Sequence, residues 1–419
     1  MNDAAGRQAR ALLLSLALGF LATLPLAATA LAGTEEWSTF GVFPQEEDDE
    51  SLIDHLLTRP PEAWQNEWDR STRAFRTSQG CLTSGQWLMD TDLKLRAPMG
   101  DRARFGVDLE DQQSDRSSFT FLDLSLRVPI DGWGTPGFSF RPFHDKSRQD
   151  ASFFWEAGAE TADVNVRATF TFEDVFNNFW AFRQTRVGNL SEPYERHPYE
   201  PALAAWWRGA RGRFEVEGEW LTPSRKELAF VTGSVPISTL WGAHGCVLAE
   251  LILGNWKLSA SGDNRQARST GILLLPAPSD SGADFRRQWW AETSVQRRFA
   301  EHVEVEGRWV YQARDQHTEP PYVPAAEIAD IERVLQLEAR WLEPRWAARV
   351  GGLYDRITVD HVGPIFSYGS RVESRAYFGL SARFGQVCLS AVEGIELDPE
   401  PYEVWFVHDK AFLNIQSTF

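Results

Sequence analysis

Hydrophobic and polar residues alternate with a period of two along most of the chain after residue 85. In the segment 213–220, one face carries Phe214, Val216 and Trp220, and the other face carries Arg213 and three glutamates. Successive side chains of a β-strand point to opposite faces of the sheet. The pattern therefore predicts strands with one apolar face and one highly charged face.

The alternating segments are long. Besides 213–220 they include 87–96, 103–111, 119–128, 151–160, 163–173, 303–314, 332–342, 374–384 and 404–419. Strands of soluble sandwiches average about 5–6 residues, whereas a tilted strand needs about 9–11 residues to cross a bilayer. The lengths predict an all-β fold, a closed antiparallel transmembrane β-barrel. A soluble exported β-sandwich is the alternative, and it would be extracted without detergent.

Tryptophan is placed where a membrane barrel would use it. The chain has 18 Trp. Seven of them fall towards the ends of the predicted strands, namely Trp87, Trp155, Trp220, Trp309, Trp341, Trp346 and Trp405. Indole rings favour the headgroup level of a bilayer, so this placement supports the barrel over a soluble core.

The number of strands follows from the alternation of short and long links. Working back from residue 419, longer links at 276–284, 314–331, 360–373 and 398–403 alternate with tight links at 262–265, 299–302, 343–344 and 385, which gives nine strands. Working forward from residue 85 gives another nine that end near Leu221. Residues 222–244 are interpreted as an external or infolded loop, so the prediction is about 18 strands, within a range of 14 to 20. A plain hairpin there, and hence about 20 strands, is the alternative.

The first 82 residues differ from the rest. Residues 1–32 combine Arg7 and Arg10 with an apolar run and a small-x-small end, which predicts a secretory signal peptide. Residues 33–82 are acidic and partly helical in pattern, with Trp64, Trp68 and Phe75 near helical spacing. We predict a short periplasmic segment that caps or plugs the barrel, or tethers it to another protein, and we assign the barrel to residues 83–419.

Charge and cysteine content narrow the function classes. The formal net charge is −17, from 59 Asp and Glu against 42 Lys and Arg, so no basic surface for nucleic acid is expected. Cys81, Cys246 and Cys388 are odd in number and widely spaced, so at least one is expected to stay unpaired within the chain. No cofactor or metal motif occurs, and after residue 33 no apolar run is long enough for a spanning helix.

The C-terminus carries the most specific local pattern. Residues 411–419 alternate, with Ala411, Leu413, Ile415 and Phe419 on one face. Together with the signal peptide and the repeated amphipathic strands, this ending resembles Gram-negative outer-membrane β-barrel proteins. The resemblance implies location in the outer membrane, contact with its lipid and lipopolysaccharide, and Phe419 as the recognition signal for the barrel-assembly machinery.

If the apolar faces contact lipid, the charged faces line the lumen. The residues we predict to line a pore are Arg141, Asp145, Arg167, Arg183, Glu215, Glu217, Glu304, Glu306, Arg308, Arg340, Arg349 and Arg383. Such a lumen predicts a porin-like channel for passive diffusion of small hydrophilic solutes. A homo-oligomer of such channels is compatible with this prediction. A closed or plugged scaffold barrel in an envelope complex is the alternative. A barrel-embedded hydrolase is a third class. We do not favour it, because adjacent His and Asp residues on a strand point to opposite faces and cannot form a local catalytic pair.

Overall fold

The structure is a computed structural model of the 419-residue chain. It describes residues 56, 67–68, 71–81, 87–100, 102–114, 118–142, 149–157, 163–173, 175, 193–196, 199–230, 233–273, 279–319, 326–362, 370–397 and 408–418. The predicted signal peptide, the assembly signal Phe419 and most of the predicted helical segment lie outside these residues.

The described chain is built almost entirely of β-strands. They are β1 Arg73–Cys81, β2 Trp87–Met99, β3 Ala103–Ser114, β4 Ser118–Arg127, β5 Thr135–Pro142, β6 Gln149–Glu156, β7 Val164–Phe172, β8 Pro193–Arg196, β9 Tyr199–Gly209, β10 Gly212–Phe230, β11 Gly233–Leu253, β12 Trp256–Leu273, β13 Ser279–Arg298, β14 Val303–Glu319, β15 Ala326–Leu342, β16 Trp346–Val362, β17 Arg371–Phe384, β18 Val387–Glu396 and β19 His408–Thr418. Among the residues that the structure describes, no helix is long and apolar enough to cross a bilayer.

The strands close into one antiparallel barrel. Each strand pairs with its neighbours in the chain, and β1 pairs with both β2 and β19. The short β8 and the longer β9 lie end to end against β10, so together they form one position in the wall. The barrel therefore has 18 wall positions, which confirms the predicted number. An even number is required, because the first and last strands of an all-antiparallel barrel must run in opposite directions.

The links differ between the two rims. We call the rim where β1 begins and β19 ends the terminal rim. Its links have 2 to 7 residues, whereas the links at the opposite rim reach 20 residues between β7 and β8. Two of the tight links use glycine with positive φ, Gly254 at 61° and Gly385 at 64°, a conformation that residues with a Cβ rarely adopt. The predicted tight link at 262–265 is wrong, because these residues lie in the middle of β12.

Residues 222–244 form strands, so their interpretation as a loop is wrong. They complete β10 and open β11, which pair from Gly212–Leu251 to Phe230–Gly233. The hairpin alternative is right for this stretch, yet it lengthens two strands and adds none. β10 and β11 have 19 and 21 residues, about twice the length that crosses a bilayer. Strands of bilayer length would end near Leu221, which is why the pattern predicts a loop where the strands in fact continue.

The barrel also begins earlier than the boundary at residue 83. Strand β1 starts at Arg73 and includes Phe75, which the sequence analysis placed in a helical pattern. This strand has a single bulky apolar residue on its outward face, which also carries Arg73, Thr77 and Gln79. The period-two pattern is therefore weak here, and the helical spacing of the preceding Trp residues extends into it.

Candidate functional site

The barrel is polar inside and apolar outside. Adjacent residues of β15 illustrate this, because the Glu338 side chain is 1% exposed and Leu337 is 63% exposed. The same inversion occurs in β16 and β17, where Asp355 and Arg375 are buried while Val350 and Leu380 are exposed. A soluble domain buries its apolar face in the core. Exposed apolar faces on a closed barrel are the arrangement of an outer-membrane protein.

The exposed tryptophans lie on the outer surface, but the predicted position at a strand end is wrong for Trp220 and Trp309, which lie in the interior of β10 and β14. Of the seven Trp placed at strand ends, the six that the structure describes are between 39% and 47% exposed: Trp87, Trp155, Trp220, Trp309, Trp341 and Trp346. Trp256 at the start of β12 is 42% exposed as well. Indole rings on the outer surface of a barrel favour the headgroup level of the bilayer. The N–H groups of Trp155 and Trp341 donate within the protein, to the Trp133 carbonyl and to Glu343.

A ladder of ion pairs lines the inner wall from β13 to β15. Arg308 lies between Glu292 and Glu306, with N···O distances of 3.4 Å and 2.7 Å. Arg340 on the next strand reaches the other oxygen of Glu306 at 2.5 Å and also pairs with Glu338. Glu306 thus accepts from two guanidinium groups, and the side chains of Glu292, Glu306 and Arg308 are buried. Such charge-assisted bonds are strong, and they stiffen the wall from β13 to β15.

Glu338 extends this ladder to two further strands. The Tyr377 hydroxyl on β17 donates to Glu338 Oε2 at 2.6 Å, and Gln336 Nε2 donates to the same hydroxyl at 2.6 Å. Arg349 on β16 lies 3.8 Å from Glu338 Oε2. Glu338 therefore joins three strands through one buried carboxylate.

Some ion pairs on the wall from β2 to β10 are more exposed to the lumen than those of the ladder. Arg96 pairs with Asp108 at 2.6 Å, and their side chains are 21% and 42% exposed. Near the terminal rim, Arg208 pairs with Glu215 at 3.1 Å, with side chains 57% and 32% exposed. By contrast, the side chains of the Arg308–Glu306 pair are 9% and 7% exposed. The first two pairs are therefore more accessible to water than the ladder, although the same wall also holds the buried carboxylate of Glu156, which pairs with Arg127 and Arg167.

His244 forms a cluster that the sequence did not reveal. It lies on β11 between Glu219 of β10 and Asp263 of β12, with its Nδ1 3.2 Å from one carboxylate and its Nε2 2.5 Å from the other. The three residues are far apart in sequence and meet only through the register of β10, β11 and β12. Both ring nitrogens face carboxylates, so this histidine links three strands.

An apolar band crosses the inner wall at mid-height. It is formed by Val310, Val334, Leu353, Tyr377, Val392 and Phe412, one from each strand from β14 to β19, and Trp290 of β13 packs against it. Val310 pairs with Val334, and Val392 with Phe412, directly across neighbouring strands. We call this band the lumenal apolar arc. Leu56 is also part of the cluster and is 2% exposed, so this residue from before the barrel lies inside it.

Glu67 and Trp68 contact the inner wall near the terminal rim. Glu67 forms an ion pair with Arg383 of β17 and accepts a hydrogen bond from the Thr418 hydroxyl at 3.1 Å. Lys94 donates to the Trp68 carbonyl at 3.2 Å, and the Arg76 guanidinium lies 4.9 Å from the centre of the Trp68 ring. The sequence analysis named Arg383 but not its partner, because the two residues are 316 positions apart.

The predicted pore-lining residues lie in different parts of the inner wall. Ten of the twelve are described, and their strand positions place all ten on the inward face. Arg141, Arg167, Glu215 and Glu217 lie on the wall from β2 to β10, and Glu306, Arg308, Arg340 and Arg349 belong to the ladder. Glu304 pairs with Arg298, and Arg383 contacts Glu67. Asp145 and Arg183 lie outside the described residues. In the described part of the chain, no group of three or more His, Cys, Asp or Glu is arranged to hold a metal ion.

Comparison with known proteins identifies no family for this chain. No protein-family model and no curated protein matches the chain. Among solved structures, CdiB from Acinetobacter baumannii is 12% identical with a TM-score of 0.43, and the match covers 83% of this chain and 60% of that one. OccK2 of Pseudomonas aeruginosa, in complex with glucuronate, is 11% identical with a TM-score of 0.40, covering 83% and 97%. OmpT, an outer membrane protein of Vibrio cholerae, is 10% identical with a TM-score of 0.35, covering 82% and 94%.

These likenesses concern the fold alone. The chain spans three-fifths of the CdiB chain that it matches. Its own geometry, a closed antiparallel barrel of 18 wall positions with a polar interior and an apolar exterior, is that of outer-membrane β-barrels of Gram-negative bacteria.

Proposed function

We propose that the protein is an outer-membrane channel for the passive diffusion of small hydrophilic solutes. The observation that supports the proposal best is the half-exposed row of inward charges on the wall from β2 to β10. In pairs such as Arg96–Asp108 and Arg208–Glu215 the side chains are 21% to 57% exposed. A barrel of this strand number is wide enough to hold water.

The proposed path for solutes is eccentric. It follows the wall from β2 to β10, which carries Arg141, Arg167, Glu215 and Glu217. The buried ladder around Glu306 and Glu338 would give the opposite wall its rigidity and take little direct part in selection, because its charges are already paired and desolvated. Charges of both signs across the lumen create a transverse field that selects solutes by their charge distribution.

Neutralising single charges on the wall from β2 to β10 should shift ion selectivity in opposite directions. We expect Glu217→Gln to raise the anion-to-cation permeability ratio and Arg141→Gln to lower it. Each change should be about twofold, since a unit charge about 8 Å from an ion in water contributes roughly 0.5 kcal/mol. Reversal potentials across a planar bilayer in a salt gradient measure this ratio.

The matched control is Glu301→Gln in the link between β13 and β14 at the terminal rim, where the Glu301 side chain is 90% exposed. This variant should leave the ratio unchanged. Equal reversal potentials for all three variants and the unmodified protein would contradict the proposed path. A steady conductance that responds only to Glu301→Gln would place selection at the rim.

A closed scaffold barrel is the second candidate, and the burial of Leu56 inside the barrel favours it. In that case the purified protein would show no openings in a bilayer with residue 56 in place.

For the third class, a barrel-embedded hydrolase, His244 is a poor general base. Both its ring nitrogens face carboxylates, so neither is left to accept a proton from a nucleophile.

The cellular setting is part of the same proposal. We propose that the terminal rim faces the periplasm after export with removal of residues 1–32, and that Phe419 presents the chain to the barrel-assembly machinery. Lipid and lipopolysaccharide would contact the outer surface. Passive diffusion requires no cofactor and no catalytic step, and we propose none. A homo-oligomer is compatible with this function.

A further inference from the structure

The lumenal apolar arc is out of place in a water-filled channel. The arc extends over six consecutive strands, from Val310 on β14 to Phe412 on β19, on a wall whose other inward side chains are mostly polar or charged. Apolar surface facing water is unfavourable in proportion to its area. A band of this width on an otherwise polar wall indicates that another apolar group covers it.

Leu56 packs against the arc. It is 2% exposed and belongs to the same packed cluster as Val334, Val392 and Phe412. Tyr377 presents its ring to this cluster while its hydroxyl is held by Glu338. The arc is therefore a preformed apolar binding surface, in which the ladder fixes the orientation of Tyr377.

A second contact holds the same segment at the terminal rim. Glu67 pairs with Arg383 and bonds to Thr418, and the Trp68 carbonyl bonds to Lys94. This contact is polar, and the side chains of Arg383 and Glu67 are 36% and 31% exposed. An ion pair exposed to that degree is weakened by salt, whereas the contact at Leu56 is buried and apolar.

The two contacts are compatible in length. Thr418 and Phe412 on β19 are six residues apart, which corresponds to about 15 Å along the barrel axis for a tilted strand. Residues 56 and 67 are eleven apart, and eleven residues span about 16 Å even when fully helical. One continuous segment can therefore occupy both sites, passing from the rim into the lumen.

We propose that the lumenal apolar arc is the docking site for the chain's own N-terminal segment, which enters from the terminal rim and plugs the lumen along strands β13–β19. Leu56 is the inner anchor and Glu67 the rim anchor. One consequence rests on the proposed channel function: solutes pass less readily while Leu56 is docked in the lumen. The docking itself is independent of that function.

Docking is tested by thiol labelling, which needs no conductance. In a background with Cys81, Cys246 and Cys388 changed to Ser, Leu56→Cys is exposed to a membrane-impermeant maleimide, with Glu301→Cys as the exposed reference. In the folded protein, Leu56→Cys should react at least about tenfold more slowly than Glu301→Cys, since reaction requires access to the thiol. Adding Glu67→Gln should speed labelling at position 56 and leave position 301 unchanged. Equal rates at the two positions in folded protein would overturn the proposal.

Plugging is tested by single-channel recording of the full chain. Leu56→Asp should raise the open probability, because a carboxylate is unfavourable against the arc, and Leu56→Ile should behave like the unmodified protein. If position 56 is protected but no variant conducts, the docking site stands and the channel function fails. If position 56 labels freely and the unmodified protein conducts steadily, the channel stands and the plug is overturned. Folding of each variant is verified by its heat-dependent migration in gels.

Discussion

Replacing Glu338 by alanine is expected to lower the free energy of unfolding of the barrel by about 3–5 kcal/mol. Glu338 is 1% exposed and pairs with Arg340, accepts a hydrogen bond from Tyr377 and lies 3.8 Å from Arg349. Removal of the carboxylate leaves two guanidinium groups without this partner inside the barrel. Denaturant unfolding in lipid vesicles, followed by tryptophan fluorescence, measures the change.

The matched control for this change is Glu343→Ala in the next link of the same chain. Glu343 also accepts hydrogen bonds, from the Trp341 indole at 3.0 Å, but its side chain is 28% exposed and water can replace it. We expect a loss below about 1 kcal/mol. If Glu338→Ala were as mild as Glu343→Ala, the ladder would contribute no stability and its role as the rigid wall would be wrong.

Placing arginine at Leu337 is expected to destabilise the barrel by about 2–4 kcal/mol. Leu337 precedes Glu338 on β15, but its side chain points outward and is 63% exposed. In a membrane that surface contacts hydrocarbon, where a guanidinium cannot be hydrated. The same unfolding measurement applies, and the destabilisation should be larger in vesicles than in short-chain detergent, where water reaches the outer surface more easily.

Glu301→Arg is the control for the outward face, since this position is in a link outside the wall. Its effect should stay within about 0.5 kcal/mol. A similar cost at positions 301 and 337 would mean that the apolar face does not contact lipid. The soluble β-sandwich alternative predicts that outcome, so the pair of variants tests the membrane assignment directly.

The fold could be predicted from the sequence because its main determinant is local. Alternation along a single strand is sufficient to identify its two faces, and β14 and β15 were recognised in this way. The errors occurred where the local pattern weakens. In β1 only Phe75 marks the outward face, and in β10 and β11 the strands continue beyond bilayer length. The extra strand predicted between residues 85 and 221 compensated for the missed β1, so the total of 18 was correct although its parts were not.

The candidate site was less predictable because its contacts depend on register. Arg340, Glu306 and Arg308 were named as inward residues, but their pairing follows from the alignment of β14 with β15. His244 meets Glu219 and Asp263 only after three strands are aligned. Leu56 lies outside every strand, and its position in the lumen depends on packing against residues as far away as Phe412. No local pattern contains that information.

The pairing of β1 with β19 has a consequence for how the barrel assembles. The Ser78 hydroxyl on β1 donates to Asn414 on β19 at 2.5 Å, across 336 positions of the chain. Closure is therefore the most non-local step of folding, and such steps are slow. Until it occurs, both strands have unpaired edges that could join other chains. Deletions from the N-terminus that pass residue 72 would remove one wall position, leave an odd number, and expose that edge permanently.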